Sequence, residues 1–396
     1  MFAIIFLMSN LILKRRNYSK LWPVYLAAVL FSFHFNSLVY VNSSYLARFF
    51  NQGTISLIYV LGSLGNIVLF FLAIHIENHY GNRKFFFLFL LVEFFAVLGL
   101  ALASTSLAVA MFFVLFESSS LMILYSLDIF LEDATPKKET GVIRGTYLTL
   151  SNLALVLSPL LIAFVAPNGE FNKLYFLSVL FLLPLFILAV FSFSNFKDGT
   201  HKVVGLPIRL WFKTKNIRRV TQIRHTLDLF FSFMVIYMPI YLHTYIGFSW
   251  TQISFIFSIM LLPFILFEIP FGKMADEIFG EKEMMTLGLF IIGTALLIIP
   301  FLKIQSIPFW IALLFFSRIG ASMVEITCES YFYKHVDKRD TGLISIYKLS
   351  WPTAFILGPI IGAFSLSLFP FEGMFFLLAI IVLFSMTTSS RLRDTL

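Results

Sequence analysis

Residues 73–84 read Ala73-Ile-His-Ile-Glu77-Asn-His-Tyr-Gly81-Asn-Arg83-Lys84, and residues 272–282 read Gly272-Lys-Met-Ala-Asp276-Glu-Ile-Phe-Gly280-Glu-Lys282. Each stretch sets a small residue, an acid four positions on, a glycine four further, and then a base. The acid moves from 77 to 276 and the glycine from 81 to 280, the same displacement of 199. A second set agrees: Tyr147, Leu157, Pro159, Ala163 and Phe164 return at 200 positions as Tyr347, Leu357, Pro359, Ala363 and Phe364. Two elements sharing one period make the chain two copies of one design.

Each stretch closes an apolar run. A hydrocarbon core of about 30 Å needs roughly 20 apolar helical residues. Twelve segments meet that need, at 21–46, 53–76, 85–106, 108–131, 142–166, 173–194, 226–246, 251–272, 284–303, 307–332, 342–366 and 370–389. Composition requires the same environment. Hydrophobic residues make up 59% and charged residues 13%, with 51 Phe and a mean hydropathy of +0.90. Soluble chains carry about twice that charge and could not hide so much apolar surface. A cytosolic enzyme, a disordered chain and a secreted disulfide scaffold are excluded, and Cys328, the one cysteine, leaves no disulfide or cysteine metal cage.

The positive charge gives orientation. With both termini cytoplasmic, 25 of the 29 Lys and Arg fall inside, against Arg48, Lys173 and Lys303 outside and Arg318 within a segment. Spread over seven loops and tails, the net charge of +8 forms no nucleic-acid groove. The expected organisation is an interfacial or cytoplasmic segment at 1–20, a six-helix bundle at 21–194, a basic linker at 195–225, a second bundle at 226–389 and a tail at 390–396. Met1 to Leu13 is apolar but too short to span, and its bases follow rather than precede it, unlike a secretory signal. It reads as an interfacial segment or a mis-assigned start. In the linker, Leu210, Ile217, Val220 and Ile223 recur near helical spacing opposite Lys213, Lys215 and Arg219. A headgroup-level helix and a solvated tether fit equally.

On the motif after segments two and eight, the chain resembles the major facilitator superfamily from about residue 20 onward. The copy Gly272, Asp276, Gly280, Lys282 matches well. The first departs, with Ala73 for glycine and Glu77 for aspartate, and both acid-to-glycine gaps are one residue longer than usual. The resemblance implies an all-α membrane protein of two pseudo-symmetric six-helix bundles. It implies a cytoplasmic gate at these loops: Glu77, Gly81, Arg83, Lys84, Gly272, Asp276, Gly280 and Lys282. An acid there caps a neighbouring helix N-terminus and the bases pair with carboxylates. The alternative is a static staple.

Ionisable residues inside the bilayer cost at least about 2.5–3.5 kcal/mol at a helix centre and point to function by default. Glu117 and Asp128 in segment four return, at a displacement of 201, as Arg318 and Glu329 in segment ten. Arg318, Glu325 and Glu329 share one helix face. Glu117 and Arg318 lie about 15 Å deep, near the midplane. The resemblance places segments one, four, seven and ten around a central cavity, so these two residues are expected to face each other as an ion pair, either broken in the cycle or permanent. Repulsion between Glu325 and Glu329, one turn apart, favours protonation of one, with the deeper Glu325 as the proton site. Glu329 is expected to meet Lys282, and Asp128 to meet Arg83 or Lys84, within the gate. Asp228, near Arg224, reads as an interfacial cap. Asn36 offers a hydrogen bond to substrate, Tyr237 and Tyr241 a phenol rim, and His34 either a ligand or a helix–helix hydrogen bond. Glu93 and Glu268 take no role.

No phosphate-binding glycine loop, GxSxG or HExxH occurs, so the chain is expected to be neither an ATP-driven machine nor an enzyme, without cofactor or metal. The expected function is a proton-coupled secondary transporter of a small solute, monomeric, in a bacterial-type cytoplasmic membrane. Arg318 leans toward anions and the apolar lining toward amphipathic solutes; efflux, uptake and lipid flipping stay open. The rival is a non-transporting receptor or scaffold of the same fold.

Overall fold

The computed structural model of the protein describes residues 21–135, 140–195, 208–336 and 341–393. Segment 1–13, the linker residues 196–207 and the last three residues of the tail lie outside them. The described residues fold as helices, with no strand among them. Among the described residues nine helices are long and apolar enough to cross a bilayer, and a tenth crossing comes from the pair Trp250–Leu266 and Pro270–Phe279, bent by 41°. Expected segments five and twelve are the shorter apolar helices Thr149–Val165 and Gly373–Ser389.

Proline explains the irregular segments. In segment eight, short helices Trp250–Met260, Pro263–Leu266 and Glu268–Met274 follow one another, each break lying just before or beside a proline that lacks an N–H and crowds the preceding turn. In segment five, Thr140–Leu157 gives way to Leu160–Val165 at Ser158-Pro159.

The repeat reaches the backbone. Gly81 has φ 84° and ψ 152°, and Gly280 has φ 82° and ψ 153°. Both turns occupy a region that side chains with a Cβ avoid, so glycine is required at both. The face bearing these turns is called the turn face below, and the other the opposite face.

The linker boundary differs from expectation. Segment seven begins at Lys215, not near 226, and runs to Ile236 as one helix. Ile217, Val220 and Ile223 are fully buried in the core rather than lying in headgroups. The apolar stripe was real, but its partner is protein. Leu210, in the short helix Ile208–Lys213, stays exposed.

Packing differs between the two faces. One large core joins the opposite-face half of the N-terminal bundle, with Leu38, Tyr59 and Phe113, to the C-terminal bundle, with Tyr237 and Phe257. The turn-face half of the N-terminal bundle, with Phe31, Phe86 and Phe130, packs into a core of its own. The bundles are therefore fused by apolar contact at one face and carry separate cores at the other.

Candidate functional site

A cavity of about 220 Å³ lies between the bundles. Its lining includes Asn36, Tyr40, Tyr59, Glu117 and Asn152 from the first half, and Glu268, Arg318, Glu325 and Glu329 from the second. Aromatic and aliphatic side chains such as Phe35, Phe264 and Trp351 complete it.

Close helix packing fixes Glu117. It sits mid-way along Ser106–Ala134, and a Cβ built on Gly62 of segment two would fall 2.7 Å from both Cβ and Cγ of Glu117. A Cβ on Gly65 would overlap the Ser118 side chain, and Ser118 Oγ donates to the Gly62 carbonyl at 3.1 Å. Small residues let these helices approach, as is usual in bilayers where packing drives association. The second half repeats the device: a Cβ on Gly288 would meet the Gly320 carbonyl at 2.7 Å, just past Arg318 on segment ten.

Glu117 and Arg318 line one cavity but do not pair; no ion pair joins them within 4 Å. The Arg318 guanidinium carbon lies over the Phe230 ring at 4.7 Å, with Phe231 at 5.9 Å. Tyr40, at the end of segment one, is its electrostatic and hydrogen-bonding neighbour. Aromatic faces attract a guanidinium strongly once water is removed, which holds the side chain away from segment four. Arg318 is 1% exposed, and its Nε and Nη1 have no hydrogen-bond partner.

Glu325 and Glu329 are brought together as expected, but with a cation between them. Arg224 Nη1 lies 3.1 Å from Glu325 Oε1 and 3.8 Å from Glu329 Oε1, while its Nε donates to Asp228 Oδ1 at 3.1 Å. Asp228 is fully buried and accepts from Ser350 Oγ at 2.6 Å, so it anchors the cluster and is no interfacial cap. The sequence places Arg224 in the linker; with segment seven starting at Lys215, its i, i+4 spacing to Asp228 marks it as an ion-pair residue inside the bundle. Glu268, without a role in the sequence reading, has one in the structure. It faces the cavity, and its carboxylate accepts from Asn152 Nδ2 of the other bundle at 3.4 Å.

Of the remaining expected site residues, Asn36 lines the cavity, while His34, Tyr237 and Tyr241 do not. His34 is fully buried inside the N-terminal bundle. Its Nε2 meets Glu93 Oε1 at 2.9 Å and its Nδ1 meets Ser178 Oγ at 2.7 Å, and Glu93 also accepts from Ser119 at 2.5 Å and Ser120 at 2.7 Å. The pair therefore ties segments one, three, four and six together. Tyr237 reaches across the opposite face to Ser56 Oγ at 3.0 Å. Tyr241 stacks with Phe371 at 5.9 Å and packs against Trp310. Nearby, Tyr40 meets Phe257 and Phe171 meets Trp250, each pair at 4.7 Å across the bundles.

At the turn face the expected pairings are redistributed. Asp128 accepts from Lys348 Nζ of segment eleven at 2.7 Å, not from Arg83 or Lys84. Arg83 instead donates to the carbonyls of Ala189 (2.9 Å) and Val190 (2.7 Å), which the π-turn Leu188–Ser192 leaves open. Lys84 is exposed. Lys282 lies 3.1 Å from Glu283, and Glu329 turns to Arg224. Gly272 packs beside Ile326 of segment ten. The side chains of Glu77 and Asp276 lie outside the described set. Among the described residues no group of three or more metal-ligating side chains converges.

The comparisons with known proteins bear on the whole chain. Residues 225–393 match the family model described as Major Facilitator Superfamily. No curated protein matches. A crystal structure of a mutant of the nucleoside transporter NupG is similar at a TM-score of 0.74 and 13% identity, covering 93% of this chain and 98% of that one. The fold is thus shared over almost the full length, although the sequences have diverged. The second half of the chain thus matches the major facilitator superfamily, and almost the whole chain shares the fold of a nucleoside transporter of known structure.

Proposed function

We propose that the protein carries a small solute by exposing the central cavity alternately at the two faces, and that protons drive the exchange. The observation that carries this reading is the asymmetry around the cavity. At the opposite face one apolar core and the Tyr237–Ser56 contact hold the bundles together. At the turn face the N-terminal bundle keeps a separate core, and polar contacts such as Asp128–Lys348 and Asn152–Glu268 bridge the gap. Exposure follows the same gradient, from 1% for Arg318 to 26% and 41% for the side chains of Glu325 and Glu329. One arrangement of two rigid bundles is thus open toward the turn face, and rocking supplies the other.

Glu325 is the proton-accepting group in this reading. Its carboxylate is held by Arg224, sits in the cavity wall, and is partly reached by solvent. Protonation would release Arg224 to Asp228 and Glu329. The protein acts as a monomer in a cytoplasmic membrane, with the turn face inward, as the distribution of Lys and Arg supports. The test is purified protein in liposomes with an imposed pH gradient and a solute panel. Solute-dependent proton movement that disappears in Glu325→Gln supports the reading. Absence of any such movement overturns it in favour of a non-transporting scaffold.

A further inference from the structure

We propose that Arg318 is the recognition group of the cavity and that the substrate is an organic carboxylate with an aromatic or apolar body. This rests on the transport reading above and names the class of solute that the site holds.

The starting observation is an unbalanced cation. Arg318 is 1% exposed, lines the cavity, and has two nitrogens, Nε and Nη1, with no hydrogen-bond partner. A buried charge without a paired opposite charge is costly, so such groups are normally neutralised by a partner carboxylate. Among the described residues none fills that role. Glu325 and Glu329 are taken up by Arg224, and they lie about 10 and 16 Å further along the helix axis by its rise per residue. Glu117, on the facing bundle, makes no ion pair with it. Glu268 is engaged by Asn152.

The guanidinium is also held ready. It rests over the Phe230 ring at 4.7 Å, and Phe230 is itself fully buried. A guanidinium fixed in this way loses little freedom when an anion arrives, and its planar donors match a carboxylate. The rest of the wall specifies the other end of the ligand. Phe35, Phe231, Phe264, Trp351 and Phe355 give a surface for an aromatic or aliphatic body. A small inorganic anion would leave that surface unfilled.

The same reasoning yields a signature that a structural arginine would not give. Removing an unpaired buried charge relieves a cost, so Arg318→Gln should unfold at the same or a higher temperature than the parent without ligand. A structural ion-pair residue would do the reverse.

The test uses full-length protein in nanodiscs, with benzoate, benzamide and benzylamine as probes of one shape and three charges. Binding is followed by thermal shift and by quenching of Trp351, with Trp351→Phe identifying its share of the signal. The expected result is benzoate binding alone, weakened by roughly thirtyfold or more in Arg318→Gln, as for loss of one partner of a buried charge pair. Arg318→Lys, which keeps the charge but loses the planar fork, should fall between. Equal binding of benzamide or benzylamine, or benzoate binding that survives Arg318→Gln, overturns the proposal. So does an Arg318→Gln protein markedly less stable than the parent. Benzoate binding without solute movement in liposomes would leave this site standing while the transport reading fails; transport of neutral solutes independent of Arg318 would do the opposite.

Discussion

Lys348 Nζ stands 2.7 Å from Asp128 Oδ2, an ion pair that joins the two bundles across 220 residues of chain. Both side chains are partly exposed, 44% and 32%, so the pair adds little to folding stability. Its effect falls on the relation between the bundles. The Tyr237–Ser56 contact plays the matching part at the opposite face.

These two contacts give opposed predictions. Lys348→Met should alter the unfolding temperature little, since exposed pairs contribute about 0–1 kcal/mol. It should favour the arrangement open at the turn face, and so lower maleimide labelling of a cysteine placed at Ser56. Tyr237→Phe should favour the other arrangement, closed at the turn face, and so lower labelling of a cysteine placed at Asp128. Cys328 is buried, which keeps background labelling low. Unchanged labelling in both variants would show that neither contact biases the bundles.

Arg224 presents a different balance. It serves Asp228, Glu325 and Glu329 at once, and Asp228 has no exposure to water. Arg224→Gln leaves that carboxylate without a cation and should destabilise the protein by about 3–5 kcal/mol, as for other broken buried pairs. Adding Asp228→Asn should return much of the loss, because the Ser350 hydroxyl can still bond an amide. Thermal unfolding of the single and double variants measures this. Additive losses would mean that the two residues do not act as a pair.

Much of this arrangement could be read from the residues alone. The repeat at Gly81 and Gly280 and the apolar segments follow from spacing and composition, which local chemistry dictates, and the place of Glu117 and Arg318 on one cavity follows from the resemblance. The partners did not follow. Arg318 turned to Phe230 instead of Glu117, and Arg83 to the carbonyls of segment six, because a cation's choice among acids, rings and helix ends depends on distances no one-dimensional pattern holds. Arg224 was hidden by a boundary set eleven residues too late, since a run of bases and apolar residues reads alike as an amphipathic surface segment and as the buried first turns of a long helix.

Gly62 is a site where space alone decides the outcome. A methyl group there would lie 2.7 Å from two carbons of Glu117, so one helix must move. Gly62→Ala should cost about 1–3 kcal/mol, as overpacking usually does, and displace Glu117 within the cavity. Gly53→Ala is the control, because its methyl would meet only the Asn51 side chain at 3.6 Å. Solute binding and unfolding temperature should both fall in the first and hold in the second.

The His34–Glu93 pair separates a structural role from a place on the transport pathway. Glu93 is fully buried and gathers His34, Ser119 and Ser120 from two other helices, none of them through the cavity wall. Glu93→Ala strands three polar side chains in a dry interior, so it should lower the unfolding temperature strongly, by the equivalent of about 3–5 kcal/mol for a broken buried pair. Glu93→Gln keeps an acceptor of the same shape and should lose less. Solute affinity of the protein that does fold should stay unchanged in both, whereas Glu117→Gln, which alters the cavity wall itself, should change affinity with little effect on unfolding. If Glu93→Gln abolished proton movement while leaving the unfolding temperature intact, the proton route would run through the N-terminal bundle, and Glu325 would lose the role assigned to it.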